Sequence, residues 1–352
     1  MNTTYDAMAI DNGPAPAPRP APHATHKLRL LLRREFWEHK GGFFWAPLWA
    51  GGISLALTLM ALVVGEVAAR RAVASGKVQI DGHVMINGLD LGAISSRMDA
   101  EAMQKLAGGI DVSMFMSSLW PMMVLGFVVF FYCLGSLYDE RKDRSVLFWK
   151  SLPVSDRDTV VSKAASALLV APLLAVGASI ACMFGFLVLV SVFVLLHHGN
   201  PYTLIWGPGS PLASAGLLLA SIPVYALWAL PTAGWLMLCS AWSKSKPFLW
   251  AIMLPVFAGI FISWFDVMNA FDLDSAWFWR NIVVHLLGGV FPGTWMDVMD
   301  LGGLRGGEVP DHLSMLKATY STLATPQLWI GAVAGIAMLA AAVRLRRWRD
   351  EG

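Results

Sequence analysis

Six stretches of this chain are long and apolar enough to dictate its fold: Phe43 to Gly65, Phe115 to Tyr138, Val160 to Leu196, Leu212 to Ser240, Pro247 to Trp264 and Pro326 to Val343. A bilayer core takes about 20 apolar residues in a helix, at about 1.5 Å each. The runs therefore predict an all-α polytopic membrane protein with six transmembrane helices. Composition agrees, with 56% hydrophobic and 14% charged residues. The third run is longer than a bilayer requires, so it projects from the membrane or bends at Pro172. The fourth carries Pro223 and Pro231, where kinks are expected.

The flanking segments assign the ends of the chain. Residues 1–26 are polar and contain PAPAPRPAPH, which cannot bury enough apolar surface to fold, and they read as a disordered cytoplasmic tail without a cleavable signal. Residues 27–42 (KLRLLLRREFWEHK and two glycines) form an imperfect amphipathic helix: Leu28, Leu31, Leu32 and Phe36 share one face, and Leu30 and Trp37 lie on the other. Its basic residues suit a helix lying on anionic lipid. The transmembrane domain covers 43–343, with external loops 66–114 and 265–325, and 344–352 is a basic tail. With both termini inside, 18 of the 26 Lys and Arg residues fall on the inner side, Lys163 counted there. This distribution predicts cytoplasmic termini in a cell (inner or plasma) membrane.

One segment tests the count of six. WFWRNIVVHLLGGVFP, Trp277 to Pro292, is apolar but interrupted by Arg280, His285 and Gly288-Gly289, and it reaches only about 24 Å. As a span it would move RLRRWR outside. A re-entrant or interfacial helical element between spans five and six fits both its length and the charge rule.

Several chemistries are missing from the pattern. The phosphate-cradling motif G-x-x-x-x-G-K-[ST] is absent, since the one lysine that follows a glycine, Lys77, precedes a valine. The chain is expected to be no enzyme and to hydrolyse no ATP itself. No H-E-x-x-H occurs, and His197-His198 reads as a polar helix end, so neither catalytic nor metal-ligating residues are assigned. Cys133, Cys182 and Cys239 sit in apolar runs as buried thiols. Carboxylates, lysines and histidines are nearly absent from the spans, so no intramembrane energy source is visible. A cofactor bound by this chain is not expected, and nothing points to nucleic acid.

The inner connection Leu137 to Ala164 packs eleven charged residues between two oily runs. Pro153 disfavours helix at Leu152, so a short helix over about 140–151 is expected to stop there. Ser155 and Asp158 have capping-box spacing, so a new helix starts near Asp156 and enters span three. Val146, Leu147, Phe148, Trp149 and Leu152 occupy several faces of the first helix. Two readings stay open: a partner contact beyond lipid, or an interfacial loop obeying the charge rule.

The ordered set of motifs resembles the permeases of the ABC type-2 exporter family. The set is Arg-Arg-Glu-Phe-Trp-Glu-His before span one, Asp-Glu-Arg-Lys-Asp-Arg-Ser after span two, then Leu-Pro-Val-Ser, and Ser-Lys at the start of span three. Many relatives carry a glycine after the acidic–basic pair, where this chain has Asp143-Arg144-Ser145. The resemblance implies a permease subunit that pairs with a second one, commonly identical, and with two copies of a cytoplasmic ATPase that holds ATP and Mg²⁺. It implies ATPase coupling through Glu140, Arg141, Arg144, Trp149, Leu152, Pro153 and Ser155. It also implies a dimer interface and translocation path at spans two and five, where Phe127, Phe130, Phe131, Phe257 and Phe261 line a route or else face lipid or pack within the protein. The function expected is ATP-driven export of an apolar or amphipathic cargo such as a lipid, peptide or drug. The alternative is a non-transporting immunity or signalling component that recruits an ATPase or another effector.

Overall fold

A computed structural model describes residues 24–75, 91–92, 98–145, 154–268, 274–298 and 312–348. Its six helices long and apolar enough to cross a membrane are Gly41–Ala72, Ala100–Lys142, Asp156–Leu196, Pro211–Trp242, Pro247–Val267 and Pro326–Trp348, spans one to six. The protein is an all-α polytopic membrane protein, and no strand occurs among the described residues. Most of the expected tail 1–26 and the end of the tail 344–352 lie outside the described residues.

Spans one and two outlast their apolar cores. Glu66 to Ala74 is rich in Ala and Arg and contains no breaker, so the helix of span one runs on to Ala74. Span two begins at Ala100, where the Asp99 carboxylate accepts from the Ala102 amide at 2.8 Å. The described parts of the expected loop 66–114 are thus largely helical. At that far end Glu66 accepts from Arg70 and lies 2.7 Å from His197 Nε2. The other ring nitrogen of His197 faces the Phe193 carbonyl at 2.8 Å. The ring closes span three as the polar end its position suggested.

The bend expected at Pro172 takes the form of a π turn. Over Ser166–Val170 the ladder widens, and the Ala171 amide donates to the Ser166 carbonyl. Proline lacks an amide hydrogen and crowds the carbonyl one turn back, and one extra residue moves that carbonyl aside. Gly41–Trp45 does the same ahead of Pro47. Pro223 and Pro231, by contrast, lie inside the continuous helix of span four.

Span four is the axis of the bundle. Spans two, three, five and six all pack on it, as do the elements between spans five and six, and Val224, Ala229, Thr232, Ala233, Leu236, Met237 and Ser240 are fully buried. Its closest neighbour is span six, along Gly331 and Gly335. A Cβ on Gly335 would lie 2.7 Å from the Leu230 carbonyl, and one on Gly234 would lie 2.6 Å from the Gly335 carbonyl oxygen. In lipid, where burial gives helices no hydrophobic drive to pair, such backbone approach supplies the packing.

The segment between spans five and six inserts among the helices. Asp274 caps it through the Trp277 amide at 2.8 Å, and it continues as Ser275–Phe278, a π turn Trp279–Val284 and His285–Gly288. Its tip reaches the middle of span four: Tyr225 donates to the Val290 carbonyl at 2.9 Å, and Thr232 to the His285 carbonyl at 2.6 Å. His285 stacks on Trp228 at 4.1 Å and bonds the Trp228 carbonyl at 3.0 Å, so Nε2 carries the proton. Phe291 fills the space beside Gly126 in span two, and Gly293 turns the chain at φ 91°. The element packs against the middle of span four, as a re-entrant segment would, and its non-helical tip is covered by protein. A second helix, His312–Ser321, runs beside the first half of span four, with His312 2.8 Å from Ser214 and Tyr320 bonded to the Ala220 carbonyl.

Substitution of Gly335 by Val drives a branched side chain into backbone that cannot yield. We expect a loss of about 1–3 kcal/mol, read as a lower midpoint in thermal unfolding of the detergent-solubilised protein. Gly177→Val, whose Cβ meets nothing within 4 Å, leaves the midpoint unchanged.

Candidate functional site

The N-terminal helix Ala24–Glu38 brings an unexpected charge inward. Leu30 and Trp37 are exposed, as the helical wheel predicts, but Glu35 follows Leu31 and Leu32 on the buried face and is 1% exposed. A lone carboxylate there would cost several kcal/mol. Lys163, about two turns into span three and 2% exposed, meets it at 3.0 Å, and the Tyr132 hydroxyl of span two donates to it at 2.8 Å.

Glu140 doubles the arrangement. Its Oε1 lies 3.1 Å from Lys163 Nζ, an ion-pair contact without hydrogen-bond alignment, and 3.8 Å from Arg34. Its Oε2 accepts from Arg346 of span six at 2.6 Å, and the same guanidinium reaches Asp156, the first helical residue of span three, at 3.1 Å. Three carboxylates and three cations are interleaved, so the buried charges balance without added ions. The Tyr132 ring is packed edge-on against His39 at 4.7 Å and Phe43 at 4.9 Å. This junction joins the N-terminal helix to the ends of spans two, three and six.

Arg141, beside Glu140, serves a different helix. Its Nη2 donates to the carbonyls of Ser240 at 2.5 Å and Ser243 at 2.9 Å, closing the C-terminal end of span four. In return the Ser240 hydroxyl accepts from the amides of Leu137 and Tyr138, which a break in span two leaves free. Spans two and four therefore complete each other's ends.

The helix expected over about 140–151 is described only as far as Ser145, and within that part it is interrupted. It runs Tyr138–Lys142, and Arg144 turns to φ 55°, a left-handed conformation in which glycine is the easier residue. Lys142 and Arg144 favour helix by propensity, but Glu140 and Arg141 are held by spans four and six, and those tertiary bonds prevail. Arg144 is exposed beside them. Trp149, Leu152 and Pro153, with the many-sided apolar stretch around them, lie outside the described residues. Ser155 caps span three, accepting from the Asp158 amide at 3.1 Å, and the helix begins at Asp156.

The aromatic residues separate into two groups. Phe130 is buried, whereas Phe127 and Phe131 are more than half exposed on the flank of span two. Phe248 at the start of span five meets the rings of Phe130 and Phe131, and Phe127 meets Phe291 of the re-entrant tip at 5.0 Å. Phe257 and Phe261 are exposed one turn apart on span five and make no ring contact among the described residues.

Sequence reasoning did not assign roles to Glu35, Tyr132, Asp156, Lys163 or Arg346. Two signals were present: Glu35 sits at the i+3 and i+4 positions of an apolar face, and Lys163 lies inside the run Val160 to Leu196. Comparison with protein-family models, curated proteins and solved structures finds no match for the chain. The permease likeness rests on the residues alone.

Lys163→Met leaves Glu35 and Glu140 facing each other without their shared cation. We expect destabilisation of about 3–5 kcal/mol, measured as a lower unfolding midpoint in detergent. Glu35→Gln combined with Lys163→Met recovers part of that loss, which a purely steric effect of the methionine would not do.

Proposed function

We propose that this chain is the membrane permease subunit of an ATP-driven exporter of the ABC type-2 kind. It works with two copies of a separate ATPase and with a second permease subunit, identical in the simplest assembly. The observation that carries the reading is the meeting of its signature residues. Arg34, Glu35, Glu140 and Lys163 belong to motifs from three parts of the chain, and they gather around one pair of buried carboxylates.

An ATPase docked on the connection between spans two and three presses on residues on either side of Pro153. Glu140 and Asp156 flank that connection and share Arg346, so a push there reaches spans two, three and six together. Lys163 and Glu35 pass it to the interfacial helix. A buried ion pair does not stretch gradually, so the linked ends move as one body between inward-open and outward-open states. ATP and Mg²⁺ are held by the partner, consistent with the missing phosphate-binding motif. The cargo is apolar or amphipathic, and Phe127, Phe131, Phe257 and Phe261 give it an aromatic route. The membrane is the cell membrane, with the junction and both termini on the cytoplasmic side, as the basic residues favour.

Purification from native membranes tests the assembly, and the reading is falsified if no P-loop ATPase accompanies the chain at any salt concentration. That outcome would favour the non-transporting alternative. Where an ATPase does copurify, Leu152→Asp is expected to uncouple ATP hydrolysis from export while insertion in the membrane stays normal. Unchanged export in this variant would assign the connection to a lipid anchor.

A further inference from the structure

A groove of about 530 Å³ lies between the corner that joins the interfacial helix to span one and the flank of span two. Its lining changes along its length. Phe43, Phe127, Phe131 and Tyr132 line it on the side of the hydrocarbon, and Glu38 and Asp139 stand at the end nearest the junction. Lys and Arg are absent from its lining.

The two carboxylates differ. Glu38 is held by Arg34 at 3.2 Å, whereas the Asp139 carboxylate is exposed and meets no cation among the described residues. Side chains on a helix lean toward its N-terminal end, which for span two points into the membrane. Asp139 follows that rule: its Oδ2 would stand 2.6 Å from a Cβ on Gly135, so the glycine lets the carboxylate fold down over the groove. A free negative charge directed toward the hydrocarbon thus stands one turn from the face of Phe131 and Tyr132. Gly41 keeps the opposite wall open, since a Cβ there meets nothing within 4 Å.

We propose that this groove binds a cationic amphiphile, with its ammonium group against Asp139 and its tail along Phe127 and Phe131. Carboxylate and aromatic faces both attract a partly desolvated ammonium. A zwitterionic phospholipid fits less well, because its phosphate lies between tail and ammonium and would face the same carboxylates with no Lys or Arg in the lining. The proposal rests on the export reading only in making the occupant a cargo, and binding itself needs neither ATP nor ATPase.

The test uses the full chain in phosphatidylcholine nanodiscs without nucleotide, labelled by a diazirine-bearing dodecylammonium probe whose cross-linked peptides are mapped. Labelling is expected at 38–43 and 127–139, saturable and displaced by dodecylammonium, with dodecanol and phosphatidylethanolamine much weaker competitors. Asp139→Asn lowers the affinity about fivefold, as loss of a partly exposed charge pair should. Gly41→Leu blocks labelling by occupying the groove and leaves Asp139 in place, so it tests the site even if the first variant is poorly folded. Equal competition by dodecanol or phosphatidylethanolamine, labelling confined to other segments, or unchanged labelling in both variants would overturn the proposal. None of those results bears on whether an ATPase copurifies.

Discussion

Burying a charge in a protein at the edge of a bilayer is tolerable only when an opposite charge is buried with it. Glu35, Glu140, Lys163 and Arg346 meet that condition jointly. Each comes from a different element, so none of those elements can leave without exposing another's uncompensated charge. Hydrophobic transfer brings helices into lipid but does little to choose among their arrangements there. Charges that must be buried together make that choice, and the junction gathers them at one end of this bundle.

The rest of the molecule follows a similar economy of partners. Ser240 and Arg141 exchange bonds between the ends of spans two and four, and Thr232, Tyr225 and Trp228 hold the re-entrant tip by its carbonyls and hydroxyl. Small residues admit close backbone contact between spans four and six, where side chains would keep them apart. Packing is therefore tightest around span four. Spans one and five keep their large apolar side chains outward, toward lipid or toward a second subunit in the proposed assembly.

Much of this was legible in the sequence because it depends on composition over long windows. Six apolar runs, the polar break at Trp277 to Pro292 and the Ser155 cap each follow from a rule that needs only neighbours along the chain. The junction does not. Glu35 reads as one more charge on a basic amphipathic helix, and Lys163 as a flanking cation, until the fold brings residues 128 positions apart within 3.3 Å. The turn that ends the short helix at Tyr138–Lys142 was missed for the same reason, since contacts with spans four and six set it. The turn at Pro172 was expected as a bend, but sequence alone does not say whether the ladder widens there or simply breaks.

That widened turn has a consequence for how the chain can vary. A π turn holds one residue more than the α-helix around it, and one residue corresponds to about 100° of helical rotation. The wide turn at Ser166–Val170 takes up that residue, so the two halves of span three keep one inward face. Upstream the inward face carries Val160 and Lys163, and downstream it carries Ala175, Ser179, Cys182 and Met183. Deleting a single residue from the turn would bring Lys163 and Cys182 to about 18 positions apart, five turns of regular helix, and leave both sets facing the core. Span three can thus lose a residue at this turn and keep its inward face, whereas a deletion elsewhere in the helix would swing the residues beyond it by about 100°.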